Sequence, residues 1–409
     1  MTVEANGDAV WITGTGLATP LGLTFDTLMD NLLAGRSGVG PLTKFDPVDH
    51  SCRVAASLGS IPSPEGWDPA EFARLSDWEQ LMLFTAVNAL RDSGWWERRH
   101  TARIGMVVGV GAEWAVAWEA SMRAGGRQVY TPEADRQGLT ATTRDALGLT
   151  GPIATVAAAC ASGNVALAQA RRWVRLGWVD VCLAGACDRA LTPMAMASFG
   201  NLGALSKRND DPSAASRPFD RGRDGFVMGE GGAMFVLERA ESARRRGARA
   251  YAEIAGVGAT SDAHHLVIPS SNPDPCIRAI RLALEDGRLD PADLDYVNAH
   301  ATSTPVGDAF ESRAVRAVLG PAVERVPVSA TKSMTGHLLT AAAAVEALAC
   351  LGAMARSAIP PTINLHDPDP ECDLRHVANQ AIEQPVRTAL SNSFGFGGSN
   401  FCVLFRQVA

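Results

Sequence analysis

The hexapeptide Ala158-Ala159-Cys160-Ala161-Ser162-Gly163 follows the apolar run Ile153 to Ala159 and precedes the helix-like stretch Asn164 to Trp173. This order spells a buried strand, a sharp turn, and a helix with a cysteine at its start. A helix N-terminus carries roughly half a positive charge and unpaired N–H groups, which favour a thiolate. Small neighbours permit the turn and leave space above the sulfur. A free cysteine is more often a small buried hydrophobe. The nucleophile reading of Cys160, by analogy with strained strand-to-helix turns, therefore depends on the rest of the chain.

Working outward, the pattern recurs. Val10 to Gly22 reads as a strand and a glycine-containing turn, and Tyr251 to Ala259 reads the same way. Ile153 to Ala159 leads into the helix near Cys160, as Val326 to Ala330 leads into the helix near Gly336-His337. Val179 to Ala184 and Ala389 to Phe394 both end in small residues. One order of elements occurring twice suggests a duplicated α/β unit, with halves at residues 1–250 and 251–409. Asp77 to Leu90 and Pro275 to Leu284 carry amphipathic helix patterns. Asn209 to Gly232, rich in Asp, Arg, Pro and Gly, reads as a long ordered loop of the kind that is often functional.

Composition narrows the class. With 409 residues, 46% apolar and 20% charged, the chain has an ordinary globular balance. A net charge of −7 argues against a nucleic-acid partner. Met1 to Asp8 lacks a signal-peptide pattern, and Leu338 to Ala355, interrupted by Glu346, reads as a buried helix and not a membrane span. Eight scattered cysteines fit a reducing compartment, so a cytoplasmic protein without disulfides or a zinc or other metal site is expected.

Three further segments hold polar residues at strand or helix ends: Asn298 to Pro305 with His300, Thr331 to His337 with Lys332, and Asn392 to Asn400 around Gly395-Phe396-Gly397-Gly398. Each has a plain structural reading, namely a hydrogen-bonded core histidine, a solvated lysine and a tight glycine turn. The glycine run lacks the lysine and the spacing of a phosphate-binding loop.

Together these segments resemble the β-ketoacyl synthases that act on acyl-carrier-protein substrates in fatty-acid and type II polyketide pathways. The resemblance extends through Ile12 to Gly16, Ala204 to Asp210, Ser216 to Asp220 and Arg223 to Gly231. It implies the thiolase fold: two similar α/β halves in α-β-α-β-α layers with mixed sheets, usually paired as dimers. It also implies roles. Cys160 would take the acyl chain as a thioester. His300 and His337 would bind the malonyl thioester carbonyl during decarboxylation, and Lys332 would order that site. The N–H groups of Cys160 and Phe396 would form the oxyanion hole, with Phe396 also a gate. Thr302 and Thr304 would contact the phosphopantetheine arm. Asp308 and Glu311 would be a structural acidic pair. Ala112, Trp114, Phe394 and Gly397 would line the substrate pocket. No resident cofactor is implied, since phosphopantetheine arrives on the carrier protein.

His337 stands where acyl-CoA-accepting synthases use Asn, and Cys160 is retained where chain-length-factor subunits lack it. The sequence departs from the pattern at Ala301, Thr340 and Ala343, which replace family glycines, and more strongly at Gly109 to Trp118 and Asp262 to Pro269. Trp114 and Trp118 read equally well as core packing. The departures point to a specialised-metabolite ketosynthase, either a homodimer or a heterodimer with a chain-length-factor-like subunit. The alternatives are a housekeeping fatty-acid elongation enzyme, a decarboxylase or acyltransferase on the same site, and a catalytically silent carrier-docking scaffold. A basic carrier-docking patch would draw on Lys207, Arg208, Arg221 or Arg223.

Overall fold

A computed structural model describes residues 8–111, 113–126, 138–268 and 270–408. Its main sheet has ten strands: β1 Val10–Ala18, β2 Ile104–Gly109, β3 Ile153–Val156, β4 Val181–Asp188, β5 Gly231–Arg239, β6 Ala252–Ser261, β7 Tyr296–Asn298, β8 Val328–Ser329, β9 Thr388–Gly395 and β10 Ser399–Arg406. Their spatial order is β8-β7-β9-β10-β6-β1-β5-β4-β2-β3. From its outer edge inward, each half therefore runs third, second, fourth, fifth, first. Pairing repeats as well. β2 is parallel to β3 and β4, as β7 is to β8 and β9, while β4–β5 and β9–β10 are antiparallel. The duplication read from the sequence is thus present strand for strand. Within the sheet the halves join where β1 meets β6, pairing Trp11 with Glu253 and Ile12 with Ala252.

Six helices position the site: α1 Asp77–Asp92, α2 Glu113–Arg123, α3 Ser162–Arg175, α4 Asp274–Asp286, α5 Pro305–Leu319 and α6 Ala342–Arg356. α1 packs on the outer face of the N-terminal half, and α4 and α5 on that of the C-terminal half. α3 and α6 form the layer between, in a core that takes Phe235 and Leu237 from β5 and Val403 and Phe405 from β10. This is the α-β-α-β-α arrangement. Strands covered on both faces need near-continuous apolar runs, and β1, β2 and β4 are buried along their full lengths. α3 and α6 approach closely at Gly163, where a Cβ would lie 2.5 Å from Ala344 N.

The segment Leu339–Arg356 passes a length-and-hydropathy test for a membrane span, yet 89% of it is buried inside the fold. All eight cysteines are free and buried. In one respect the sequence reading needs correction. The segment Thr331 to His337 does not run straight into the alanine-rich helix. A four-residue turn, Lys332–Thr335, ends at Gly336 (φ +66°), and a 3-10 turn, Leu339–Ala341, precedes α6. The break exists because His337 is drawn aside, donating its N–H to Val227 O (2.7 Å) and accepting from Gly229 N (2.9 Å).

Candidate active site

Cys160 sits in the turn two residues before α3, and not at the helix start that the sequence suggests. Ala159 takes the left-handed conformation (φ 48°), an uncommon one for a residue with a Cβ. Ser162 clamps the turn, accepting from Ala158 N at 2.9 Å and donating to Ala159 O at 2.7 Å. The Gly395–Gly398 turn closes over it. A Cβ on Gly395 would fall 2.7 Å from Ala158 O, so this approach requires glycine. The close approach lets the Phe396 N–H point at the Cys160 sulfur.

Burial dominates the thiol's chemistry. It lifts Cys160 to about 11, although Lys332 and the Phe396 N–H pull the other way. The helix-end argument for a standing thiolate therefore fails in the free protein. Desolvation is the largest influence on the group, and the sulfur rests as a thiol with His337 Nε2 at 3.0 Å.

His300 lies at the end of β7. Glu311 on α5 fixes its backbone, accepting from His300 N (2.9 Å) and Ala301 N (2.7 Å). Lys332, 1% exposed, faces His300 Nδ1 at 3.3 Å, donates to His300 O at 2.6 Å, and is ion-paired to Glu346 on α6. An ammonium has donors only. His300 Nδ1 is therefore the accepting nitrogen, and the ring proton belongs on Nε2. Burial, with Lys332 second, holds both His300 and His337 well below the usual imidazole range, so both rings are neutral. The two rings stand edge to face, centroids 5.5 Å apart.

One ligand atom each from Cys160, His300 and His337 falls within 4.8 Å of the others, the spacing of a soft-metal site. The Lys332 ammonium opposes a cation there and occupies the His300 nitrogen that would orient such a ligand. What the cluster offers is a nucleophile beneath a backbone donor, with two neutral imidazoles beside it. All three side chains line a cavity of about 380 Å³ with Thr302, Thr304, Phe394, Phe396 and Gly397. Lys332 stands behind it.

Comparison with known proteins agrees with this geometry. The family model for Beta-ketoacyl synthase, N-terminal domain, matches residues 7–243, and that for the C-terminal domain matches 251–366. The chain belongs to the β-ketoacyl synthases. This ketosynthase is 39% identical to "3-oxoacyl-[acyl-carrier-protein] synthase 2" of Synechocystis sp., over 97% of this chain and 98% of that one. It is 38% identical to "Putative polyketide beta-ketoacyl synthase 1" of Streptomyces halstedii, over 97% of each. Among solved structures, the AntDE:AntF complex, a type II polyketide-synthase acyl-carrier protein with its ketosynthase bound to the hexaketide, aligns with TM-score 0.88 at 30% identity, covering 99% of this chain and 100% of that one. The ishigamide ketosynthase/chain length factor aligns with TM-score 0.87 at 33% identity, covering 98% and 99%. The thiolase-like ketosynthase fold is thereby established.

Other residues of this ketosynthase fall differently from expectation. Trp114 does not line the cavity. It and Trp118 are 49% and 53% exposed, packed edge to face at 4.6 Å, so neither is core. Ala112 lies outside the described residues. Arg223 cannot serve an exposed docking patch. It is buried, ion-paired to Asp369 at 2.7 Å and near Asp308 at 3.7 Å. Lys207, Arg208 and Arg221 remain exposed. Thr304 has a structural duty as N-cap of α5, accepting from Gly307 N at 3.3 Å.

Sequence reasoning did not assign Glu346 or Asp188. Glu346 was visible as the one carboxylate in an apolar helix. Asp188, at the end of β4, accepts from Thr340 Oγ1 at 2.6 Å and so ties the N-terminal half to the segment after His337. Its signal was the non-glycine at position 340, legible only with the fold in hand.

Proposed function

We propose that this ketosynthase carries out decarboxylative Claisen condensation, joining an acyl chain held on Cys160 to malonyl-acyl-carrier protein to give 3-ketoacyl-acyl-carrier protein. The convergence of Cys160, His300 and His337 on one cavity beneath the Phe396 N–H carries this reading. The Cys160 sulfur adds to the incoming thioester carbonyl while its proton passes to His337 Nε2. The tetrahedral oxygen rests on the Cys160 and Phe396 N–H groups, and the pantetheine thiol leaves with a proton. Malonyl thioester then occupies the site with its carbonyl oxygen between the two imidazoles. Loss of carbon dioxide leaves an enolate stabilised by N–H donation from His300 Nε2, a contribution of typically about 3 kcal/mol per donor. Its carbon attacks the Cys160 thioester, and the sulfur departs as a thiolate that takes up a proton from solvent, the one proton the overall reaction consumes. A thiol suits both duties, as nucleophile and leaving group. The sequence of steps balances without a redox group or metal, and we propose no resident cofactor. The eight free cysteines suit a reducing, cytoplasmic setting.

We further propose a type II polyketide or polyene pathway with a paired subunit, a second copy or a chain-length-factor-like chain. The polyketide-named relative and the ketosynthase/chain-length-factor neighbour support it. So do the exposed stripe Trp114, Trp118 and Met122 along α2 and the partly exposed edge strand β3. The similar identity to "3-oxoacyl-[acyl-carrier-protein] synthase 2" supports the housekeeping alternative equally in sequence terms, and the exposed aromatic stripe supports a paired subunit under either reading. Retention of Cys160 with both histidines disfavours a silent scaffold.

Intact-mass spectrometry of the carrier protein tests the chemistry. The purified chain receives acyl- and malonyl-carrier protein, with Cys160→Ala alongside. A two-carbon-extended 3-ketoacyl product absent from the variant is the expected result. Acylation without extension in the presence of every candidate partner overturns the condensation. A stable homodimer that elongates ordinary saturated chains overturns the pathway assignment.

A further inference from the structure

At the end of the sheet opposite Cys160, the start of β1 and β6, the end of β10 and the turn after α4 enclose a groove of about 620 Å³. This is within the size range of small-molecule sites. Its charge is unusual for a chain of net −7. The groove's three carboxylates each have an arginine partner already: Asp286 with Arg171 (2.6 Å), Glu253 with Arg406 (3.5 Å) and Asp8 with Arg239 (3.6 Å). Three more guanidiniums line the same groove, from Arg175, Arg244 and Arg288. None has a carboxylate within salt-bridge distance among the described residues. Arg244 instead lies over the Trp11 ring at 4.4 Å.

The end of α3 explains part of this, since cations complement a helix C-terminus, and Arg175 is its last residue. It does not explain Arg244 or Arg288, which come from other elements. Arg288 is also placed at a cost. It follows α4 in the left-handed conformation (φ 51°), donating its N–H to Glu285 O, where glycine is the unstrained residue. A long cationic side chain stands there despite the backbone. Guanidiniums present several donors in a fixed fork, a geometry that matches phosphate oxygens.

We propose that this groove binds a small phosphate-bearing polyanion, using Arg175, Arg244 and Arg288 as its charge partners. The site is independent of the condensation chemistry, and none of these residues touches the Cys160 cavity. Calorimetric titration of the full chain with inorganic pyrophosphate at low ionic strength tests it. The expected result is saturable one-site binding that weakens with added salt and weakens about tenfold or more in Arg175→Ala/Arg288→Ala. Arg288→Gly keeps the turn in a conformation glycine prefers, so an affinity loss there with an unchanged melting temperature separates charge from misfolding. Absence of saturable heat, or equal affinity in the wild type and both variants, overturns the proposal. Citrate binding as tightly as pyrophosphate overturns the phosphate assignment.

Discussion

Lys332 Nζ faces His300 Nδ1 at 3.3 Å, and this contact sets which nitrogen of His300 carries its proton. Under the proposed mechanism the lysine acts on the enolate oxygen through the imidazole. Replacing it with Met removes the fixed tautomer and leaves Glu346 buried without a partner. Lys332→Met is expected to lower decarboxylation of malonyl-carrier protein about 10²–10³-fold, the scale of one lost oxyanion donor, while Cys160 still becomes acylated. Separate assays of carbon dioxide release and of acyl-enzyme mass check this. Equal loss of both steps counts against the assignment.

Glu346 and Lys332 are both about 2% exposed in their side chains. Removing one partner of such a pair strands the other charge, at about 3–5 kcal/mol. Glu346→Gln should therefore show a clear drop in urea midpoint at pH 7, larger than that of a surface Glu→Gln such as Glu285→Gln. An unchanged midpoint would mean that Lys332 finds another acceptor.

Burial places Cys160 at about 11. Its alkylation by iodoacetamide should keep accelerating as pH rises past 9, because the thiolate fraction is still growing. A rate that levels off below pH 8 would show a standing thiolate and restore the helix-end argument. An acyl group on Cys160 should block the reaction at every pH.

His300 and His337 are held well below their ordinary value. The sign follows from linkage. With folded values depressed, the unfolded chain takes up protons first as pH falls below about 6.5, so each histidine contributes stability at neutral pH that is lost toward acid. The loss approaches about 1.4 kcal/mol per pH unit for each ring. His337→Ala should flatten the acid-side fall in unfolding free energy between pH 6.5 and 5, measured by urea melts and compared with wild type. A parallel slope would mean that the ring titrates normally in the fold.

Gly395 admits the catalytic turn to within 2.7 Å, for an added Cβ, of Ala158 O. Gly395→Ala should reduce Cys160 acylation by at least about tenfold while global stability changes little, because the clash is relieved by withdrawing the Phe396 N–H from the sulfur. An unaltered acylation rate would place the oxyanion donor elsewhere.

Much of this architecture was readable from strand-end chemistry. The run Ile153 to Ala159 ending in Cys160, and Leu294 to Val297 ending in Asn298-Ala299-His300, are local patterns, and local patterns survive into structure. The thiol's protonation state was not readable, because it depends on burial by segments more than two hundred residues away, including Gly395 and Phe396. Trp114 and Trp118 misled for a related reason. Aromatic residues at helical spacing look like core, and only the packing of α2 shows them facing out. Arg223 looked available as a surface charge until Asp308 and Asp369 were found around it.

The repeated strand order places Cys160 after β3 and Lys332 after the equivalent strand β8, with His300 after β7 where Val110 and Gly111 follow β2. The same structural addresses thus hold different reagents in the two copies: one holds the sulfur proposed to carry the growing chain, the other the imidazoles proposed to unmask the extender. Neither copy alone holds a complete set. A chain cut between β5 and β6 should yield two inert pieces whose activity returns only on reassembly, which makes carbon–carbon bond formation here a property of the doubling and not of the unit that was doubled.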